Sequence, residues 1–215
     1  VARSELDEAA RIAKEIGARH LIIHTNELED ENYARNPANR CYFCKNELYS
    51  KLTQIARREG IKFIANGTNM DDLGDYRPGL QAAREFEVVS PLKEAGLTKP
   101  DIRELAKKLG LRIWDKPASP CLSSRIPYGQ SVTFEKLSVI EKAEAYLKSL
   151  SIREVRVRHF GTVARIETPL PDFEIIQKNM ERIKKQIYSL GFEKMEWKEF
   201  KSGALNPSVN NYPKT

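Results

Sequence analysis

Cys41 and Cys44 stand three apart in Arg-Cys-Tyr-Phe-Cys-Lys, and Cys121 stands alone in Pro-Ala-Ser-Pro-Cys-Leu-Ser-Ser-Arg-Ile-Pro-Tyr-Gly. Three thiolates can hold an iron–sulfur cluster by three of its irons and leave the fourth open to chemistry. Zinc is the alternative metal, but a structural zinc site takes a fourth protein ligand, and the histidines able to supply one are His20, His24 and His159. A cluster with an open iron needs nothing more and is the preferred reading. Two buried cysteines, or a redox pair, are the alternatives for the C-x-x-C alone. A helix over residues 39–58 would put Cys41 and Cys44 on one face at its start. There the unpaired N–H groups and the dipole favour thiolate over thiol, and Arg40 and Lys45 push the same way. Cys121 lies among Pro117, Pro120 and Pro127, in a segment too proline-rich for a helix and suited to holding a nucleophile or ligand rigidly.

Further polar groups cluster around two other segments. Asn66-Gly67-Thr68-Asn69-Met70-Asp71-Asp72 follows an apolar run at 62–65. A turn at the C-terminal end of a parallel strand is where open α/β sheets bind ligands. Its amides and the Thr68 and Asn69 side chains could take a ribose or phosphate, and Asp71 or Asp72 could approach magnesium; a plain turn with helix caps is the other reading. Arg77 adds a cation next door. Ser124 and Arg125 follow Cys121 and would make a phosphate clamp. In Arg153-Glu-Val-Arg-Val-Arg158, Arg156 and Arg158 share a strand face by period two, with Arg165 and Glu167 on the next strand. Cross-strand Arg–Glu pairs on an exposed face explain the same pattern.

The elements that must position these groups change rhythm near residue 128. Before it, helix and strand alternate. Helices are predicted over Ser4–Gly17, from about Asn39 to Arg58 with Gly60 as the stop, and over Thr98–Leu109 with Gly110 as the stop. Strands are predicted at His20–His24, Lys62–Ala65 and Glu87–Ser90. This order predicts right-handed crossovers and a parallel sheet. After it come a helix over Thr133–Leu150, a hairpin of Glu154–His159 and Thr162–Thr168 about Phe160-Gly161, a helix over Asp172–Leu190 and a strand over Phe192–Phe200. That is a separate α+β unit, two helices on a small antiparallel sheet. The tail from Ser202 reads as irregular.

Composition excludes some classes. The chain has 215 residues and a formal charge of +6, with Lys and Arg mixed among acids along most of its length. The balance suits a polyanionic ligand such as a nucleotide, or simply a solvated surface. No apolar run approaches the roughly 20 residues that cross a bilayer, and no signal-like segment opens the chain. A soluble cytoplasmic protein without membrane association is expected, and an odd cysteine count then speaks for metal binding or catalysis over a disulfide framework.

The motifs together resemble the LarE family, ATP-dependent sulfur transferases of the PP-loop ATP pyrophosphatase superfamily. The resemblance is carried by Arg-Cys-Tyr-Phe-Cys-Lys, Asn-Gly-Thr-Asn-Met-Asp-Asp-Leu-Gly-Asp-Tyr-Arg-Pro-Gly, Ser-Pro-Leu-Lys-Glu-Ala-Gly-Leu-Thr-Lys, the Cys121 segment and Arg-Val-Arg-His-Phe-Gly-Thr-Val-Ala-Arg-Ile-Glu. It runs from the first helix to Asn206. It implies an α/β fold in which residues 1–128 form a parallel-sheet PP-loop (adenine nucleotide alpha hydrolase-like) domain. Residues 129–205 would form a small α+β substrate and oligomerisation domain, and 206–215 a tail. It also implies that Mg-ATP adenylates a carboxylate of a pyridinium-dicarboxylate mononucleotide, and that sulfur displaces AMP to give a thiocarboxylate in nickel-pincer cofactor synthesis for lactate racemase.

Because the cysteine pair is present, the resemblance points to the members in which three cysteines, here Cys41, Cys44 and Cys121, bind a [4Fe–4S] cluster whose open iron carries a sulfide from an unidentified donor. By the same matching, Ser124, Arg125, Arg156 and Arg158 line the substrate and phosphate site, with Glu144 and Glu167 near it. Cys121, Ser124 and Arg125 form its catalytic centre, and Asn66, Gly67, Thr68 and Asp71 fall beside the nucleotide. A homo-oligomer is expected. The family's Ser-Gly-Gly-x-Asp-Ser pyrophosphate loop does not occur in this sequence, which starts at Val1; the expectation is that the first strand, that loop and its helix have been left off this chain. Two other readings compete: a PP-loop tRNA thiolase, disfavoured by the lack of an added RNA-binding module or aromatic–basic sheet motif, and a metal or cluster carrier without ATPase function.

Overall fold

The computed structural model describes residues 1–74 and 77–201. Its helices are α1 (Arg3–Glu15), α2 (Glu31–Ala34), α3 (Arg40–Glu59), α4 (Gly79–Glu85), α5 (Pro91–Glu94), α6 (Lys99–Lys108), α7 (Phe134–Ser149), α8 (Phe173–Lys178) and α9 (Met180–Ser189). Three strands form the sheet: β1 (Arg156–Phe160), β2 (Val163–Thr168) and β3 (Lys194–Glu199). Residues 1–9 and 117–201 group into one compact unit, and residues 10–116 into another. The Cys121 loop therefore belongs with the α+β unit. The tail from Ser202 lies outside the described residues.

In the unit of residues 10–116, helix ends follow the local chemistry. Gly60, at φ 66°, closes α3, with its N–H on the Ala56 and Arg57 carbonyls; a side chain would be strained in that left-handed conformation. Thr98 and Asp101 form a reciprocal capping box at the start of α6, satisfying two of the helix's orphan N–H groups. The small core joins Tyr49, Ala82 and Ala83 with Tyr42, Leu52, Ile64, Phe86 and Val88.

The predicted parallel sheet does not form among the described residues. Segments 62–65 and 87–90 share a single parallel bridge, Ala65 to Val89, with Val89 N donating to Ile64 O at 2.9 Å and Asn66 N to Val89 O at 3.0 Å. His20–His24 is not a strand and has no regular secondary structure. Leu21, Ile22, Ile61 and Phe63 are exposed at 53%, 51%, 53% and 71%. A fully buried parallel strand needs both its faces covered and its backbone paired, and here neither condition holds.

The unit of residues 117–201 is built around its sheet. β1 and β2 run antiparallel, with Val157 opposite Ile166 and Arg156 opposite Glu167, about a turn at Gly161. β3 lies parallel to β2, Arg165 opposite Glu196 and Ile166 opposite Trp197. The sheet is thus mixed, not antiparallel throughout: the helical connection between β2 and β3 is a crossover, which delivers the returning strand parallel. Asp172–Leu190, predicted as one helix, breaks at Asn179, whose side-chain amide donates to the Ile175 carbonyl at 2.9 Å and competes with the helix's own ladder. One sheet face buries Val157, Ala164 and Ile166 against Ala143, Leu147, Ile176, Ile183 and Ile187. By strand alternation the opposite face carries Arg156, Arg158, Arg165 and Glu167.

Candidate functional site

Cys121 is the residue before a 3-10 turn, Leu122–Arg125, and it is exposed while Leu122, Ser123 and Arg125 are buried. The turn is pinned from beneath. Arg125 Nε donates to Glu144 Oε1 at 2.7 Å and Nη2 to Glu144 Oε2 at 3.1 Å, a fork-on-fork pair. Its Nη1 donates to Pro120 O at 2.8 Å, Cys121 O at 3.3 Å and Ser124 Oγ at 3.0 Å. Because the Ser124 hydroxyl oxygen accepts from Arg125, its own proton is left to donate elsewhere. Glu144, inside α7, also accepts the Val157 N–H at 3.0 Å, tying helix, strand and loop at one carboxylate.

The two strand arginines complete this group. Arg158 reaches Glu167 Oε2 through Nε at 2.9 Å and through Nη2 at 2.8 Å, and donates through Nη1 to Ser124 O at 2.8 Å. Arg156 donates to Glu154 Oε1 at 3.0 Å and to Ala118 O at 3.1 Å, and lies 3.7 Å from the Phe200 ring centroid. Burial lowers the Arg156 pKa; the Glu154 carboxylate opposes this, and the nearby Arg125 and Arg158 guanidiniums add to it. An anion beside Arg156 would offset those two neighbouring charges.

Sequence reasoning placed Arg156, Arg158 and Glu167 on one face. It missed Glu154, although its i, i+2 spacing to Arg156 was a readable signal, and it missed Phe200, for which no local signal exists. Arg165 pairs with Glu196 of β3, not with Glu167.

Cys41 lies in the first turn of α3 and Cys44 just beyond it, both half-buried. Asn39, the residue before α3, makes no side-chain capping bond; at φ −91°, ψ 16° it is not in the extended conformation that a capping side chain uses. Arg40 is buried and donates to Asn36 Oδ1 at 2.5 Å, and Lys45 Nζ lies 5.7 Å from the Tyr49 ring centroid. Gly79 opens α4 against this turn: a Cβ there would come within 3.0 Å of Lys45 Cγ and 3.4 Å of Cys41 O. Tyr42, between the cysteines, donates to Glu85 at 2.7 Å, and that hydrogen bond raises its pKa and lowers that of Glu85. Cys41 and Cys44 lie in one compact unit and Cys121 in the other. Among the described residues, no group of three His, Cys, Asp or Glu side chains is gathered to hold a metal ion.

The Asn66–Asp72 segment is a tight, self-bonded turn. Asn66 Oδ1 accepts from Thr68 N at 3.1 Å and from the Ser90 hydroxyl at 2.9 Å. Asp71 is exposed and accepts Lys99 N at the start of α6 at 2.5 Å. Asp72 accepts Asn69 N at 3.0 Å and pairs with Arg77 at 2.8 Å. Gly67 is exposed and Thr68 half-buried. Asn66, Gly67, Thr68 and Asp71 are therefore brought into one short segment. Within it the acids serve backbone N–H groups and a cation.

An α/β chain with a helix-borne C-x-x-C and a separately displayed third cysteine has clear relatives. No family model matches the chain. It is 37% identical over 210 residues to the pyridinium-3,5-bisthiocarboxylic acid mononucleotide synthase of Lactiplantibacillus plantarum, covering 95% of this chain and 75% of that one. An uncharacterised protein of Synechocystis is 49% identical over 165 residues, covering 77% of this chain and 62% of that protein. The tRNA-specific 2-thiouridylase of Halothermothrix orenii is 27% identical over 143 residues, 54% of this chain and 40% of that enzyme. The chain belongs to the LarE family, that of pyridinium-3,5-bisthiocarboxylic acid mononucleotide synthase, within the PP-loop superfamily.

Proposed function

We propose that the full-length protein is an ATP-dependent sulfur transferase that converts a carboxylate of a pyridinium mononucleotide to a thiocarboxylate. The family membership supports this reading, and the observation that carries it is Cys121, exposed on a loop held by buried arginines. A carboxylate oxygen attacks the α-phosphorus of Mg-ATP, the bond to the β-phosphate oxygen breaks, and pyrophosphate leaves. Sulfide then attacks the activated carbonyl carbon, the carbon–oxygen bond to AMP breaks, and AMP leaves with that oxygen. Adenylation turns a poor leaving oxygen into a good one. Arg156 and the Ser124 hydroxyl, the latter on a loop held by Arg125 and Arg158, would offer a cation and a donor to the nucleotide's anionic groups. Asn66, Gly67, Thr68 and Asp71 would lie beside the ATP.

Cys41, Cys44 and Cys121 are the residues that would hold a [4Fe–4S] cluster. Three cysteine thiols are the right donor chemistry for one, and two of them lie three apart at the start of one helix. When bound, the cluster would supply an open iron able to carry sulfide. The rest of the chain orients the loop, the helix start and the carboxylate. Anaerobic reconstitution with iron and sulfide should give about four irons per chain and a broad absorption in the near-ultraviolet to blue; loading of zinc alone would remove the cluster from this reading. A homo-oligomer and a small-molecule sulfide donor belong to the same proposal.

A tRNA substrate is the second reading, favoured by the likeness to a tRNA-specific 2-thiouridylase. Strong, salt-dependent binding of tRNA by the purified protein would put it first.

A further inference from the structure

Four carbonyl oxygens of the Cys121 loop are held by three buried guanidiniums. Arg156 takes Ala118 O, Arg125 takes Pro120 O and Cys121 O, and Arg158 takes Ser124 O. Each guanidinium is held in turn by a carboxylate, Glu154, Glu144 and Glu167 respectively. The arginine side chains are 6%, 5% and 7% exposed, whereas Cys121 is exposed. A loop whose carbonyls turn inward to cations has its remaining face turned outward, and that face carries the thiol.

We propose that the Arg125–Glu144 and Arg158–Glu167 pairs are positioning residues for Cys121: they fix the backbone of residues 118–124 on α7 and β1, and Arg125 acts through that backbone and not by contact with a bound phosphate. Arg125 has Nε and both Nη atoms engaged, and so does Arg158. The thiol's importance rests on the function proposed above; the geometry of its display does not.

A guanidinium holds a carboxylate and two carbonyls at once because its donors form a rigid planar fork, and an ammonium is a single compact charge that cannot. Lysine would therefore keep the charge at position 125 and lose the positioning. A cation that only meets a phosphate would be largely rescued by lysine. The test reads the loop directly, without substrate. In the full-length protein carrying Cys41→Ser and Cys44→Ser, amide exchange is followed at Ser124, whose N–H donates to Cys121 O at 2.9 Å. The rate of Cys121 alkylation by iodoacetamide is followed beside it.

Arg125→Lys is expected to speed Ser124 exchange by about tenfold or more, the equivalent of one lost charge-assisted hydrogen bond. It should match Arg125→Ala in this, with the alkylation rate changed in both. Arg158→Lys should do the same, and serves if Arg125→Ala does not fold. Wild-type exchange and alkylation in both lysine variants would overturn the proposal. Failure of the protein to transfer sulfur would overturn the proposed function while leaving these exchange rates to stand on their own.

Discussion

Removing the Glu144 carboxylate should be among the most costly single changes in the C-terminal unit. Glu144 and Arg125 side chains are each 5% exposed, and the carboxylate accepts three hydrogen bonds, two from Arg125 and one from Val157 N. Glu144→Ala strands a buried guanidinium and a strand N–H together. Breaking a buried pair in this way costs about 3–5 kcal/mol. At about 2–4 °C per kcal/mol for a chain of this size, Tm should fall by about 6–20 °C. Glu144→Gln keeps one acceptor oxygen and should cost less. The double variant Arg125→Met with Glu144→Leu removes both charges, so its cost should fall short of the two single costs added by about 1–3 kcal/mol. Urea unfolding of wild type, Arg125→Met, Glu144→Leu and the double variant in one double-mutant cycle measures this directly. A loss below about 1 kcal/mol in Glu144→Ala, with strictly additive singles, would show that the pair behaves as if solvated and would refute the reasoning.

Three further outcomes are expected. Thr98→Ala removes one half of the capping box on α6 and should cost about 1 kcal/mol by denaturant unfolding. Gly79→Val drives a branched side chain into Lys45 Cγ and the Cys41 carbonyl; it should destabilise by about 1–3 kcal/mol and alter the reactivity of Cys41 and Cys44 toward a thiol reagent. His159 has a buried Nδ1 without a hydrogen-bond partner among the described residues, and burial lowers its pKa, with the Lys136 charge adding to the effect. Its folded value lies below its unfolded one, so stability is full above the usual imidazole range and is lost as pH falls through about 6.5 toward the lower folded value. His159→Gln should flatten the dependence of Tm on pH in that window, and an unchanged slope would count against it.

Local chemistry made several elements readable. Gly60 after α3, the Thr98–Asp101 box of α6, Thr133 before α7 and Gly161 in the hairpin all act where they stand, because a cap or a positive φ is decided within a few residues. The break at Asn179 was less visible, since an asparagine inside an apolar-periodic run is compatible with a continuous helix until its side chain takes a carbonyl. His20–His24 has a strand's composition without a strand's partners among the described residues, and pairing is not a property of the segment itself. The hairpin was legible, but the direction of β3 depended on the crossover helices.

The candidate site divides in the same way. Cys121 and its prolines declared a rigid loop, and Arg156 and Arg158 declared a common face. The grip of Arg125 on Glu144 joins residues 19 apart in the sequence, and that of Arg158 on Ser124 O joins residues 34 apart. Neither has a local signature, and both decide what the arginines do.

The most direct measurement is mass spectrometry of the nucleotide product after anaerobic incubation of the full-length protein with Mg-ATP, sulfide and a pyridinium-dicarboxylate mononucleotide, with pyrophosphate followed in the same reaction. The expected result is one carboxylate oxygen replaced by sulfur, matched by pyrophosphate and AMP release and lost in Cys121→Ala. Unchanged substrate without pyrophosphate release, from protein loaded with iron and sulfide, would contradict the proposed sulfur transfer.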